Sequence, residues 1–310
     1  MSTSLKRPKG ILAMGLACLD ASLRKRLEHV PTDLLYPETV VRHTSFIAGG
    51  GLGWRISALE TPRETPAPWK IVVITGAPSW AEYWAPVLAA LPQDREMIVV
   101  NRPGFAASEP FICVSDIRIQ AEALTPVLDA APGQKILLVG QSYGAAIATL
   151  MAERRPGKVA GVVMLSSFLG EAGPTARWLV ETGTRMLNLI PRDLRNAVTE
   201  VSGQQSQLGH MRAALSRLNV PVHVLHGDRD DFAPIELAER LAKETRTRKP
   251  IRFEAVPGGD HFLTDGPAEA LIASLEACIP AAPAAWKLPA LPKLTWPTFK
   301  PIKGATTAAA

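Results

Sequence analysis

What most constrains the fold of this chain is a strand, a five-residue turn and a helix in immediate succession. Lys135-Ile136-Leu137-Leu138-Val139 is an apolar run that reads as a buried strand. Ala145 to Glu153 is a helical stretch of mostly small residues. Between them stands Gly140-Gln141-Ser142-Tyr143-Gly144, a G-x-S-x-G. A strand that bends directly into a helix brings two backbones together and leaves no room for side chains at the flanking positions, which explains both glycines. The same bend holds Ser142 in a strained conformation and exposes its hydroxyl at the edge of a sheet. An isolated motif of this kind arises by chance, and the flanking strand and helix give it meaning.

Two further strands end in residues that could work with Ser142. Val220 to Gly227 is rich in β-branched residues and runs into Asp228-Arg229-Asp230-Asp231-Phe232-Ala233-Pro234. Ile251 to Val256 alternates like a strand and ends in Pro257-Gly258-Gly259-Asp260-His261. A serine hydroxyl is a poor nucleophile at neutral pH and needs an adjacent base. Histidine titrates near that pH, so it can take the proton and return it. A carboxylate fixes the imidazole tautomer and stabilises its charged form. These residues are far apart in the chain, and only a sheet whose strand ends lie side by side would bring them together.

With serine, acid and histidine in this order, residues from about 40 to 280 resemble the α/β-hydrolase family. The resemblance implies an α/β fold: a mostly parallel twisted sheet flanked by helices, with a short helical lid at about 168–218. The family's acid pattern, Gly-x-x-Asp-x-x-x-Pro, falls on Gly227, Asp230 and Pro234 and selects Asp230 over Asp228 and Asp231. The family's histidine follows a Gly-rich turn, which points to His261. Ser142, Asp230 and His261 are therefore the implied catalytic residues. The family's oxyanion loop, commonly His-Gly, corresponds to Thr75-Gly76 after the strand Ile71 to Ile74. It implies main-chain oxyanion donors at Ala77 and Tyr143, each typically worth about 3–4 kcal/mol of barrier. Met97 to Ser108 resembles the family's strand and loop, with Asn101 for the usual aspartate and Ala106 for a glycine. Trp84 reads as a core aromatic.

The implied activity is that of a serine hydrolase, a carboxylesterase acting on small or medium apolar esters through an acyl-enzyme. C–C bond hydrolysis, peptide hydrolysis, perhydrolysis and acyl transfer stay open because a fold does not choose its substrate. So does a non-catalytic binding protein of the same fold. The apolar stretches Trp178 to Val180 and Met186 to Ile190 either line an acyl pocket or anchor the lid.

Other classes find little support. Gly49-Gly50-Gly51-Leu52-Gly53 is followed by alternating residues and reads as a hairpin turn, not a dinucleotide loop. His223 and His226 point to opposite faces of a strand, so no metal is expected, and no cofactor. Cys18, Cys113 and Cys278 form no pairable pattern, which favours a reducing, cytoplasmic setting. The chain has a formal net charge of +5; residues 1–30 carry +4 and residues 281–310 carry +4, leaving −3 for the rest. That body has no basic excess, and no nucleic-acid partner is expected. Residues 1–35 read as a basic amphipathic extension. A signal peptide, a membrane-surface helix and a helix packed on the domain remain open there. Residues 281–310 hold Pro283, Pro289, Pro292, Pro297 and Pro301 and read as an extended tail. The basic ends could make weak contact with a membrane surface.

Overall fold

The computed structural model describes residues 36–249 and 251–280. The N-terminal extension and the C-terminal tail expected from the sequence lie outside those residues. Eight strands form one sheet: β1 Arg42–Ile47, β2 Arg55–Glu60, β3 Trp69–Ile74, β4 Arg95–Val100, β5 Lys135–Gln141, β6 Val159–Leu165, β7 Val222–Gly227 and β8 Ile251–Val256. Their spatial order is β1-β2-β4-β3-β5-β6-β7-β8. From β4 across to β8 every neighbour pair is parallel, and β2 runs antiparallel to both its neighbours. The glycine cluster at 49–53 is the hairpin turn joining β1 to β2.

Alternation along the central strands divides the core. Val72, Ile74, Ile136 and Leu138 face one apolar layer, and Ile71, Val73, Leu137 and Val139 face the other. The first layer is covered by α2 (Ile117–Leu124), α3 (Gly144–Arg154), α6 (Leu208–Arg217) and α7 (Ile235–Glu244). The second is covered by α1 (Ala85–Ala90) and α8 (Ala268–Ala277). Helices on both faces of a largely parallel sheet make this an α/β-hydrolase fold. Between β6 and α6 the chain forms α4 (Pro174–Arg185) and α5 (Arg192–Gly203), which add no residue to either apolar layer. Among the described residues, no helix is long and apolar enough to cross a membrane.

Candidate active site

The bend after β5 is as tight as the motif requires. A Cβ on Gly140 would lie 2.5 Å from the Ala145 Cα, and one on Gly144 would lie 2.3 Å from the Ile74 carbonyl oxygen. Real Cβ atoms do not approach so closely, so both positions exclude side chains. Ser142 sits at φ 51°, a left-handed conformation that a non-glycine residue adopts only when its surroundings enforce it. Its N–H is bonded to the Leu165 carbonyl of β6 at 2.8 Å, and Ala145 N bonds back to the Ser142 carbonyl at 3.1 Å.

The structure brings Ser142, His261 and Asp230 into one hydrogen-bonded chain, though 119 and 31 positions separate consecutive members. The Ser142 Oγ lies 3.0 Å from the His261 Nε2, and the His261 Nδ1 lies 2.8 Å from the Asp230 Oδ2. The His261 ring is stacked on Phe232 at 5.1 Å between centroids, with Phe262 edge-on at 5.1 Å. These rings fix the imidazole plane and keep water from it. Asp230 Oδ1 accepts from the main-chain N–H groups of Phe232 and Ala233 at 2.9 and 2.8 Å. Burial works to raise the Asp230 pKa. Hydrogen bonds from His226 and His261 outweigh burial and hold the carboxyl well below the usual carboxylate range. Asp228 and Asp231 face elsewhere: Asp228 Oδ1 accepts from Gly258 N, and Asp231 Oδ2 bonds the Thr175 hydroxyl.

Tyr143 directly follows the serine in the chain, and Ala77 lines a cavity that the serine also lines. Ala77 follows β3, and Gly76, Pro78 and His261 line the same cavity. Tyr143 caps the N-terminus of α3, where main-chain N–H groups have no intrahelical partner. Its side chain is buried and donates to the Ser115 carbonyl at 3.2 Å, and burial raises its pKa far above the ordinary phenol value. Thr75, which stands where relatives have histidine, bonds the Val100 carbonyl at 2.9 Å and the Ser79 hydroxyl. Asn101 Oδ1 accepts from Ala81 N at 2.7 Å, so the residue replacing the family's aspartate ties down the same turn. Buried Trp84 donates from Nε1 to Gln141 Oε1 at 2.9 Å, joining the second apolar layer to the elbow, the bend after β5 that carries Ser142.

The cavity beside Ser142 has a volume of ≈ 20 Å³, space for about one or two waters. Its walls are Thr75, Gly76, Ala77, Pro78, Trp80, Tyr83, Gln141, Ser142, His261, Phe262 and Thr264. No residue of α4 or α5 lines it, so the apolar stretches of the insert do not form an acyl pocket here. Polar bonds draw α5 instead onto the loop after β4: Asn196 Nδ2 to the Gly104 carbonyl at 2.7 Å, and Ala106 N to Asp193 Oδ2 at 3.0 Å. Trp178 and Leu189 are left largely exposed.

Three buried polar residues at the site were not singled out from the sequence as functional. His226 Nε2 lies 3.1 Å from Asp230 Oδ2, a second histidine on the same carboxylate oxygen. The spacing of four residues across the turn after β7 was the available signal. Arg102, on the loop after β4, and Glu200, on α5, form a fully buried ion pair at 2.8 Å. Nothing in the sequence pattern links those two.

Comparisons with known proteins point to the same fold. The family model described as "alpha/beta hydrolase fold" matches residues 70–208. A protein described as 2-hydroxy-6-oxononadienedioate/2-hydroxy-6-oxononatrienedioate hydrolase 2, from Pseudomonas putida, is 22% identical over 205 residues, covering 54% of this chain and 71% of that protein. A probable cadicidin biosynthesis thioesterase from Streptomyces griseus is 26% identical over 241 residues, covering 68% of this chain and 66% of that one. Among solved structures, a thermophilic esterase from Thermogutta terrifontis superposes with a TM-score of 0.56 at 18% identity, over 76% of this chain and 97% of that one. These matches and the strand order give the chain an α/β-hydrolase fold. It is a hydrolase, and a small-molecule substrate is consistent with these relatives.

Proposed function

We propose that the chain is a serine carboxylesterase acting on small, uncharged esters through an acyl-enzyme. The observation that carries this reading is the unbroken hydrogen-bond chain from Ser142 Oγ through His261 to Asp230. Ser142 Oγ attacks the acyl carbonyl while His261 Nε2 takes its proton. The developing oxyanion meets the N–H groups of Ala77 and Tyr143. His261 then returns the proton to the departing alkoxide. A water, deprotonated by the same imidazole, releases the acid and restores Ser142. Asp230, ionised throughout, holds the imidazole tautomer.

The cavity walls favour esters over the substrate class printed for the Pseudomonas relative, whose name denotes a dicarboxylate. Among the described residues, no lysine, arginine, aspartate or glutamate lines the cavity. A dianion would be desolvated there without a partner, which is costly. Hydrolysis of a C–C bond in an uncharged substrate is the second reading, supported by that same relative.

A chain-length panel of nitrophenyl esters, run beside a dienoate C–C substrate, separates the two. Short esters should turn over fastest and the dianionic dienoate not at all; the reverse order would sink the ester reading. Ser142→Ala should abolish fluorophosphonate labelling and lower kcat by about 10⁴–10⁶. For the basic ends we propose weak membrane-surface contact. Removal of residues 281–310 should reduce co-sedimentation with anionic vesicles at low salt, and equal pelleting would dismiss the contact.

A further inference from the structure

We propose that Arg102 is a positioning residue for the oxyanion hole, and that Glu200 of the insert helix α5 completes the clamp. The role presupposes Ser142 as nucleophile, as proposed above.

All five guanidinium donors are engaged. Nε donates to the Thr75 carbonyl at 2.8 Å and Nη2 to the Gly76 carbonyl at 2.8 Å. Nη1 donates to Gln120 Oε1 and to Glu200 Oε1, and Nη2 also donates to Glu200 Oε2, each at 2.8 Å. The Arg102 main-chain N–H bonds Ser79 Oγ at 2.8 Å, on the far side of the same turn. Two successive carbonyls of the oxyanion turn therefore point at one cation. The Gly76–Ala77 peptide is trans, so its N–H points opposite to its carbonyl. With the Gly76 oxygen fixed on Arg102, the Ala77 N–H is turned away from the guanidinium, toward the cavity that Ala77 shares with Ser142. Polarising that carbonyl also strengthens the N–H as a donor.

The same guanidinium touches the second donor's residue. It lies 4.7 Å from the Tyr143 ring centroid and 4.8 Å from that of Phe105. One side chain thus fixes the peptide preceding one oxyanion donor and packs on the residue that carries the other. Lysine could not do this, since it lacks the planar five-donor fork. Arg102 and Glu200 have no exposed side-chain surface, so the cation depends on its carboxylate partner. Gln120 Nε2 holds that carboxylate in place at 2.6 Å. The seat of α5 is thereby tied to the geometry of the oxyanion hole, although α5 lines no part of the cavity.

A structural staple and a positioning residue differ in what their loss does to catalysis. Replacing both partners, Arg102→Met with Glu200→Leu, leaves no unpaired buried charge and preserves volume. The measurements are the rate of fluorophosphonate labelling at Ser142, which needs the oxyanion hole but no particular substrate, and kcat and KM on an ester. The folded double variant should label about 10²-fold slower and lose kcat in parallel, with KM nearly unchanged. The pH dependence of labelling should keep its shape, because His261 and Asp230 are untouched.

A folded double variant that labels within about threefold of wild type overturns the proposal, as does a rise in KM with kcat intact. If the double variant does not fold, Glu200→Gln decides. It keeps the shape and a carbonyl acceptor but removes the charge, and should label about 10-fold slower; an unchanged rate overturns the proposal. A wild type that labels but hydrolyses no ester refutes the ester reading alone. A wild type that does not label removes Ser142 as nucleophile and the clamp with it.

Discussion

Helix α3 starts two residues after Ser142, α5 is bonded to the buried Arg102, and opposite physics holds the two helices. In α3, nine of eleven residues are buried, from Gly144 to Ala152, and all but Thr149 are apolar or glycine. In α5 the buried residues are Asp193, Asn196, Ala197 and Glu200, three of them polar. The first helix is held by apolar packing against the sheet. The second is held by directed bonds to Arg102, Gly104 and Ala106. Apolar packing is non-directional and forgiving, so it suits a helix that must simply be pressed onto the sheet. Buried polar bonds fail unless every partner is in place, so they suit a helix whose position must be unique.

The comparison can be broken at several points. The largest of these effects is expected at Asp230, the proposed triad acid. Asp230→Asn should cut kcat by about 10⁴-fold through loss of tautomer control, while Asp228→Asn and Asp231→Asn should cost far less. Equal losses at Asp228 and Asp230 would refute the assignment. Because the folded Asp230 pKa is depressed, its contribution to stability is present above the ordinary carboxylate value near about 4 and is lost as pH falls below it. The stability gap between wild type and Asp230→Asn should therefore narrow on acidification, as read by denaturant melts. A gap that widens would contradict the sign.

Next comes the polar helix. Glu200→Leu alone strands the buried Arg102 charge and should cost about 3–5 kcal/mol in a urea melt. In α3, Ile147→Ala removes a fully buried side chain and should cost about 2–5 kcal/mol without changing labelling at Ser142. Glu200→Leu should slow labelling as well, and that difference is what separates the two helices. If Ile147→Ala slowed labelling as much, the distinction between packing and positioning would fall. The smallest effect belongs to α4: Trp178→Ala removes a side chain 54% exposed and should stay within about 0.5 kcal/mol of wild type in the same melt.

The sheet and the elbow were legible because their signals are local and apolar. The apolar run of β3, the glycines flanking Ser142 and the hairpin glycines before β2 are each signals carried within a few residues. The meeting of Ser142, Asp230 and His261 was legible through the resemblance, because each residue follows a strand end. The insert was read less well. Its apolar stretches left a pocket wall and a lid anchor open, yet Trp178 and Leu189 are largely exposed and the cavity is built from the loops after β3, β5 and β8.

Unaided, the sequence showed which segments are strands, where a glycine hairpin turns back, and where a strained turn raises a serine. Those properties depend on chain periodicity and on the space around a backbone. Only the tertiary structure decided that Arg102 and Glu200 are partners, that His226 shares the oxygen of Asp230, and which residues wall the cavity. Arg102 and Glu200 are 98 positions apart, and either one alone reads as a solvated surface charge. A buried ion pair leaves no periodic trace in the chain. It exists only where folding has brought two particular side chains together and removed the water between them.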